Sequence, residues 1–349
     1  MGNLLIEDGV CQSFKTLDEL KKDLITRKTG LALIDKSSKM PAYSQDSNGK
    51  LVVDFGQGKY NFSETGFDRY CKLINAPSRF VKGLPYDNII KDLSASMFKS
   101  EVEKINLLTQ GSTIMGASSK DRIISPLEII ESGIDPTGKE FPEISISEGQ
   151  MLLRFTKSTE VMPFGEVLKT GLAITQDIGS GAAPSLDYYF LRLVCLNGAV
   201  ARKFIKIGKF SGKMEKSKVL EVLKARIETN FKDKDMILKE CITRMTSSII
   251  TPDDRKYIKL YLSAKMNLKN HEDISNKLDI QVKDGSNYYD LMNVITDGAK
   301  NYGPVDKFKF ESLGGTMIEH FLPVKSTSEI FPGYCEFRRK KIYKEKNEA

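Results

Sequence analysis

Gly179-Ser180-Gly181 sits between an apolar run and a segment carrying Leu186, Tyr189, Phe190, Leu193 and Val194 at near-helical spacing. Taken as a strand, a glycine-rich turn and a helix starting at Pro184 or Ser185, this stretch has the parts of an anion site. The first N–H groups of a helix lack internal partners, and the helix dipole favours negative charge beside them. Glycines allow a phosphate close to the backbone. Basic residues follow: Arg192 on the same expected helix, then Arg202, Lys203, Lys206 and Lys209. Residues 202–210 interleave basic and apolar side chains, and as a strand they place Phe204 on one face with Lys206. Single-strand binders combine a basic groove with aromatic platforms for bases. Lys203, Lys206 and Lys209 are therefore candidate phosphate contacts, Gly179, Ser180 and Gly181 a candidate phosphate cradle, and Tyr188, Tyr189 and Phe204 candidate stacking rings. The same residues also have ordinary structural readings. The glycines suit a plain turn, Phe204 and Phe210 suit a core, Arg192 can snorkel or pair, and Asn197-Gly198 suits a helix stop.

Other chemistries find less support. Gly133 to Lys139 has the spacing of a phosphate-binding loop, but Glu140 stands where magnesium ligation needs Ser or Thr, and the run before it reads as helix rather than strand. There is no Gly-x-Ser-x-Gly elbow, and Pro252-Asp253 has no Glu-x-Lys downstream at nuclease-like spacing. With only His271 and His320, many catalytic designs that need a side chain titrating near neutral pH are removed, and a His-rich metal site is excluded. Asp121, Glu128, Glu131, Asp135 and Glu140 read as solvent-facing acids, with a carboxylate-bound metal kept as an alternative. No catalytic residue, metal or cofactor is assigned. Cys11, Cys71, Cys195, Cys241 and Cys335 are odd in number and widely spaced, which points to free thiols in a reducing cytoplasm. Residues 1–10 lack the pattern of a signal peptide, and no apolar run is long enough to span a bilayer, so no membrane partner is expected.

The net charge of +7 is local. Residues 202–218 carry seven basic side chains against Glu215, and residues 336–346 carry six against Glu336 and Glu345, which leaves the rest of the chain acidic. Such clustering is expected of an anion-facing surface, or of a solvated helix end and a frayed tail.

The hydrophobic pattern predicts an α+β fold: a central, mostly antiparallel sheet packed by helices, with a helical C-terminal third. Residues 1–100 form an N-terminal α/β region, with a capping box at Thr16-Leu17-Asp18-Glu19, a helix closed by Gly30, strands at 31–34 and 51–55, and helices at 63–74 and from Pro77. Residues 101–210 form a sheet-rich core with strands at 105–115, 145–156 and 166–177 before the glycine turn and helix. Residues 211–337 are helical, with a long amphipathic stretch at 216–248 and helices from Pro252 and at 288–302; residues 338–349 are a charged tail.

Three stretches carry a resemblance to a known family: Gly165 through Ile174 to Gly179, Arg192-Leu193-Val194-Cys195-Leu196-Asn197-Gly198, and Tyr288 through Leu291 to Asp297. They resemble a widespread phage/plasmid-like family known mainly as a domain of unknown function. With weaker echoes at 66–85 and 112–125, the likeness covers roughly two-thirds of the chain. It departs from the family pattern at Thr175-Gln176-Asp177, where Asn-Ser-Glu is expected. The resemblance implies carriage on mobile elements and supplies no activity. The expected strand-strand-strand-helix order also resembles the core of ring-forming annealing proteins of the Rad-fifty-two type, at fold level alone. The expectation is a nucleic-acid-binding protein of a phage or plasmid, binding or annealing single-stranded DNA, with a homo-oligomer left open. Alternatives are a non-enzymatic protein-interaction factor and a carboxylate-metal enzyme.

Overall fold

The computed structural model describes residues 12–35, 40–119, 123–133, 140–141, 143–146, 149–161, 165, 167–192, 197–201, 214–228, 232–266, 272–298, 302, 304–322, 329–331 and 333–348. The protein is α+β, with helices filling its last third. It divides into two compact units that do not follow chain order: residues 1–153, 174–185 and 208–228, and residues 154–173, 186–207 and 229–349.

The first unit holds β1 (Gln12–Phe14), α1 (Leu17–Thr26), β2 (Thr29–Asp35), β3 (Ala42–Gln45), β4 (Leu51–Asp54), β5 (Lys59–Phe62), α2 (Glu64–Leu73), α3 (Ser78–Lys82), α4 (Tyr86–Lys99), β6 (Lys104–Gln110), β7 (Thr113–Ser118), α5 (Pro126–Gly133) and β8 (Glu143–Ile146). The Thr16 half of the expected capping box forms, with Thr16 Oγ1 accepting from Glu19 N at 3.1 Å, while the Glu19 carboxylate accepts from Lys15 N, one residue before the cap, at 2.8 Å. The helix ends before Gly30, which already lies in β2, and Lys28 takes the left-handed φ of 51°. Six strands form a sheet in the order β2-β6-β7-β5-β4-β3, antiparallel except for the β5–β7 pair. That parallel pair needs a crossover, which α2, α3, α4 and β6 supply. Ser63 fixes its start, accepting from Gly66 N at 3.1 Å and donating to Ile114 O at 3.0 Å. Phe62, Phe67, Tyr70, Cys71, Ile89, Leu93 and Met97 bury one sheet face together with Val53, Ile105 and Leu107.

Burial pushes the Cys71 thiol up to about 12. An unfolded thiol ionises near its ordinary value while the buried one stays neutral, so ionisation favours the unfolded chain as pH rises from about 9 toward 12. The urea midpoint is expected to fall between about pH 8 and pH 10, and to fall less in Cys71→Ala. Equal falls in both proteins would remove Cys71 from this pH dependence.

A second sheet has the order β1-β8-β9-β10-β11-β12, where β9 is Gln150–Val161, β10 Val167–Asp177, β11 Ser185–Arg192 and β12 Asn197–Ala201. The strands β9, β10 and β11 contribute residues to both units. The helix α6 (Lys216–Glu228) belongs to the first unit. The second adds α7 (Lys232–Ser247), α8 (Pro252–Met266), α9 (Glu272–Gln281), α10 (Tyr288–Gly298), α11 (Pro304–His320) and α12 (Tyr334–Glu348). Inside that second unit, Arg154 on β9 is 1% exposed and forms a two-point ion pair with Glu311 on α11, one arm at 2.9 Å. The Arg154 guanidinium also lies 4.8 Å from the Tyr189 ring centroid. Asp235 on α7 accepts from Thr170 Oγ1 at 2.9 Å and from the Tyr188 hydroxyl. These buried carboxylates are thus partnered across strands and helices.

Several sequence expectations are corrected. The strand expected at 105–115 is the hairpin of β6 and β7, turning at Gly111 with φ 56°. The strand expected at 145–156 is divided between β8 and β9. The helix expected from Pro184 or Ser185 is the strand β11. The tail beyond residue 337 is not frayed but lies in α12.

Candidate nucleic-acid interface

The glycine turn joins two strands, so it has no helix N-terminus and lacks the helix dipole on which the expected anion site relied. Gly179 and Gly181 adopt φ of 73° and 67°, values that favour glycine. Their neighbours explain the choice of residue. A Cβ on Gly179 would stand 2.5 Å from the Cα of Gly116 on β7. Within the turn, Ser180 Oγ donates to Asp177 O at 3.0 Å and accepts from Ala182 N at 3.1 Å. Arg69 on α2 holds the end of β10, pairing with the Asp177 carboxylate and donating to Gly149 O at 3.2 Å. Gly149 O also accepts from Ile178 N at 3.0 Å. Gln176 is 1% exposed and donates to Ile124 O.

The predicted stacking rings Tyr188 and Tyr189 are 1% and 2% exposed, so neither offers a face to a base. Tyr188 serves Asp235 and Tyr189 covers Arg154. Arg192 is the last residue of β11 and the register partner of Asn197, so the Arg-Leu-Val-Cys-x-Asn-Gly run joins two paired strands, and Asn197-Gly198 opens β12 instead of stopping a helix. Arg202, Lys203, Phe204, Lys206 and Lys209 lie outside the described residues.

The described structure places an organised basic surface elsewhere, on α12 in the second unit. Phe331, Tyr334 and Phe337 pack around Tyr261 of α8 with ring centroids 5.5–5.6 Å away. Arg338 pairs with Asp254 at 2.7 Å and lies 5.3 Å from the Tyr257 ring centroid. Near the helix end, Glu345 pairs with Lys256 at 2.9 Å and accepts from the Tyr257 hydroxyl at 2.8 Å. The Lys256 hydrogen bond, then the Tyr257 one, hold the Glu345 carboxyl below its ordinary range. Tyr334, Phe337 and Arg338 pack inward at helical spacing, while Glu336, Arg339, Lys340, Tyr343, Lys344, Glu345, Lys346 and Asn347 are exposed. Arg339 Nε reaches Cys335 O at 3.4 Å and Lys340 pairs with Glu336 at 2.7 Å, both contacts within the helix itself. The helix carries six cations against three acids. Tyr343, 73% exposed, stands in the middle of this face.

The basic count at 336–346 was visible in the sequence, but the anchoring of Tyr334, Phe337 and Arg338 that turns a charged tail into an oriented helix was not. Among the acids weighed for a metal, Glu128 accepts from Ser125 N at 2.8 Å and pairs with Lys216, and Glu131 pairs with Lys21 at 3.2 Å. Among the described residues no group of three His, Cys, Asp or Glu side chains gathers as metal ligands, and no helix is long and apolar enough to cross a membrane. Residues 216–247 expose one large apolar side chain among those described, Met236 at 65%.

Fold and surface together define an α+β protein of two units whose described basic helix exposes a net-cationic face bearing a tyrosine and Glu336. Comparison of the chain with models of known families, with curated proteins and with solved structures finds no match.

Proposed function

We propose that this chain is a nucleic-acid-binding protein of a phage or plasmid, with single-stranded DNA its favoured ligand and α12 a principal contact surface. The outer face of α12 carries this reading: Arg339, Lys340 and Lys346 share one exposed side of a helix whose opposite side is anchored. Phosphates are bound by such arrays with release of condensed counterions, which makes affinity fall with salt. The basic run that includes Lys203, Lys206 and Lys209 adds to the same charge, and the family resemblance supports the mobile-element setting. Handling or annealing of strands would follow from binding.

The test is fluorescence anisotropy of a labelled oligonucleotide. Changing Arg339, Lys340 and Lys346 together to alanine is expected to weaken single-strand binding roughly tenfold or more at low salt and to reduce the salt slope by about 2, near 0.7 per lost phosphate contact. An unchanged affinity would remove α12 from the reading. The Lys203→Ala, Lys206→Ala pair is expected to act in the same direction.

A further inference from the structure

We infer that Tyr343 is a base-stacking platform that makes the α12 face select single strands over duplex; this rests on the nucleic-acid reading above and sharpens it. The two other aromatic rings of α12 are used inward, Tyr334 at 6% exposure and both Tyr334 and Phe337 against Tyr261. Tyr343 is the exception at 73% exposed. Most of this ring lies in water, and its position is specific. Arg339 and Lys340 lie one turn before it and Lys346 one turn after, so with a rise of about 1.5 Å per residue cations stand about 4–6 Å along the axis on either side.

A cation-flanked ring fits one kind of occupant. In a single strand the bases can splay out and lie on an aromatic face while the adjoining phosphates meet the cations. In a duplex the bases already stack on each other and show only their edges in the grooves, so the ring gains nothing and only the phosphates are met. An acidic protein surface would also meet the cations without using the ring. Stacking on an aromatic side chain is sequence-tolerant and strengthens binding roughly five- to 150-fold per base. The expected ligand is therefore single-stranded nucleic acid without a strong sequence preference.

The chain contains no tryptophan, so Tyr343→Trp installs a single reporter at an exposed position. Oligothymidine is expected to quench its emission, whereas a hairpin duplex of equal phosphate count and an acidic peptide should leave it nearly unchanged. By anisotropy, Tyr343→Leu should weaken oligothymidine binding roughly tenfold and duplex binding little. Equal quenching by duplex, or tight oligothymidine binding that neither quenches the indole nor responds to Tyr343→Leu, would overturn the stacking assignment and leave the nucleic-acid reading standing. No oligonucleotide binding by the unaltered chain, with or without capture of the acidic peptide, would overturn the nucleic-acid reading itself.

Discussion

Replacing Arg154 by methionine is expected to destabilise the chain by about 3–5 kcal/mol, because the buried Glu311 carboxylate loses its two-point cationic partner. Arg154 and Glu311 are 1% and 2% exposed at the side chain, so water cannot replace the lost partner. The Tyr189 ring beneath the guanidinium loses its cation as well. Changing both partners, Arg154→Met with Glu311→Leu, removes the buried charge along with its counter-ion and is expected to recover most of the loss. Urea unfolding of the three proteins checks this. A double variant no more stable than Arg154→Met would mean that the pair acts through shape and packing instead of charge.

Gly179→Ala carries the second large effect. Alanine at φ 73° costs about 1–3 kcal/mol in backbone strain, and its Cβ would stand 2.5 Å from the Gly116 Cα. The obstacle is backbone, not a flexible side chain, so β7 and the turn must move apart, at a cost of about 1–3 kcal/mol more. Under the original expectation, that these glycines admit a phosphate, alanine would weaken ligand binding and spare the fold. The packing predicts the reverse: a lower thermal midpoint with nucleic-acid affinity retained in the folded fraction. A variant that melts with the unaltered chain while losing affinity would restore the phosphate-cradle reading.

Much of the scaffold was legible because its signals are local. Thr16 and Glu19 announce the start of α1, and Pro252 with its two following acids starts α8. Leu172, Ala173 and Ile174 sit in β10 as expected. The segment 185–192 misled for a physical reason. Leu186, Tyr188, Tyr189, Phe190 and Leu191 are all buried, so β11 lacks the alternation that marks a half-buried strand, and a run apolar on both faces mimics helical spacing. The helix α4, which starts after Pro85, had no counterpart among the expected helices. The failure at α12 is of another kind. Its inner face is held by rings and by ion pairs to Asp254 and Lys256, not by an aliphatic stripe, so no periodic apolar pattern reports it.

The candidate site was legible as charge and not as geometry. Counting cations located residues 336–346, yet choosing Tyr343 over Tyr188 and Tyr189 needed burial, which depends on contacts with Asp235 and Arg154 distant in sequence. Residues Arg202, Lys203, Phe204, Lys206 and Lys209 keep the standing the sequence gives them, as basic residues with an interleaved ring.

The most direct test is anisotropy of labelled single- and double-stranded oligonucleotides titrated with the unaltered chain at low and at physiological salt. Tight binding that weakens steeply with salt and favours the single strand is the expected result. Absence of binding at low salt would contradict it and return the α12 cations to the status of ordinary surface.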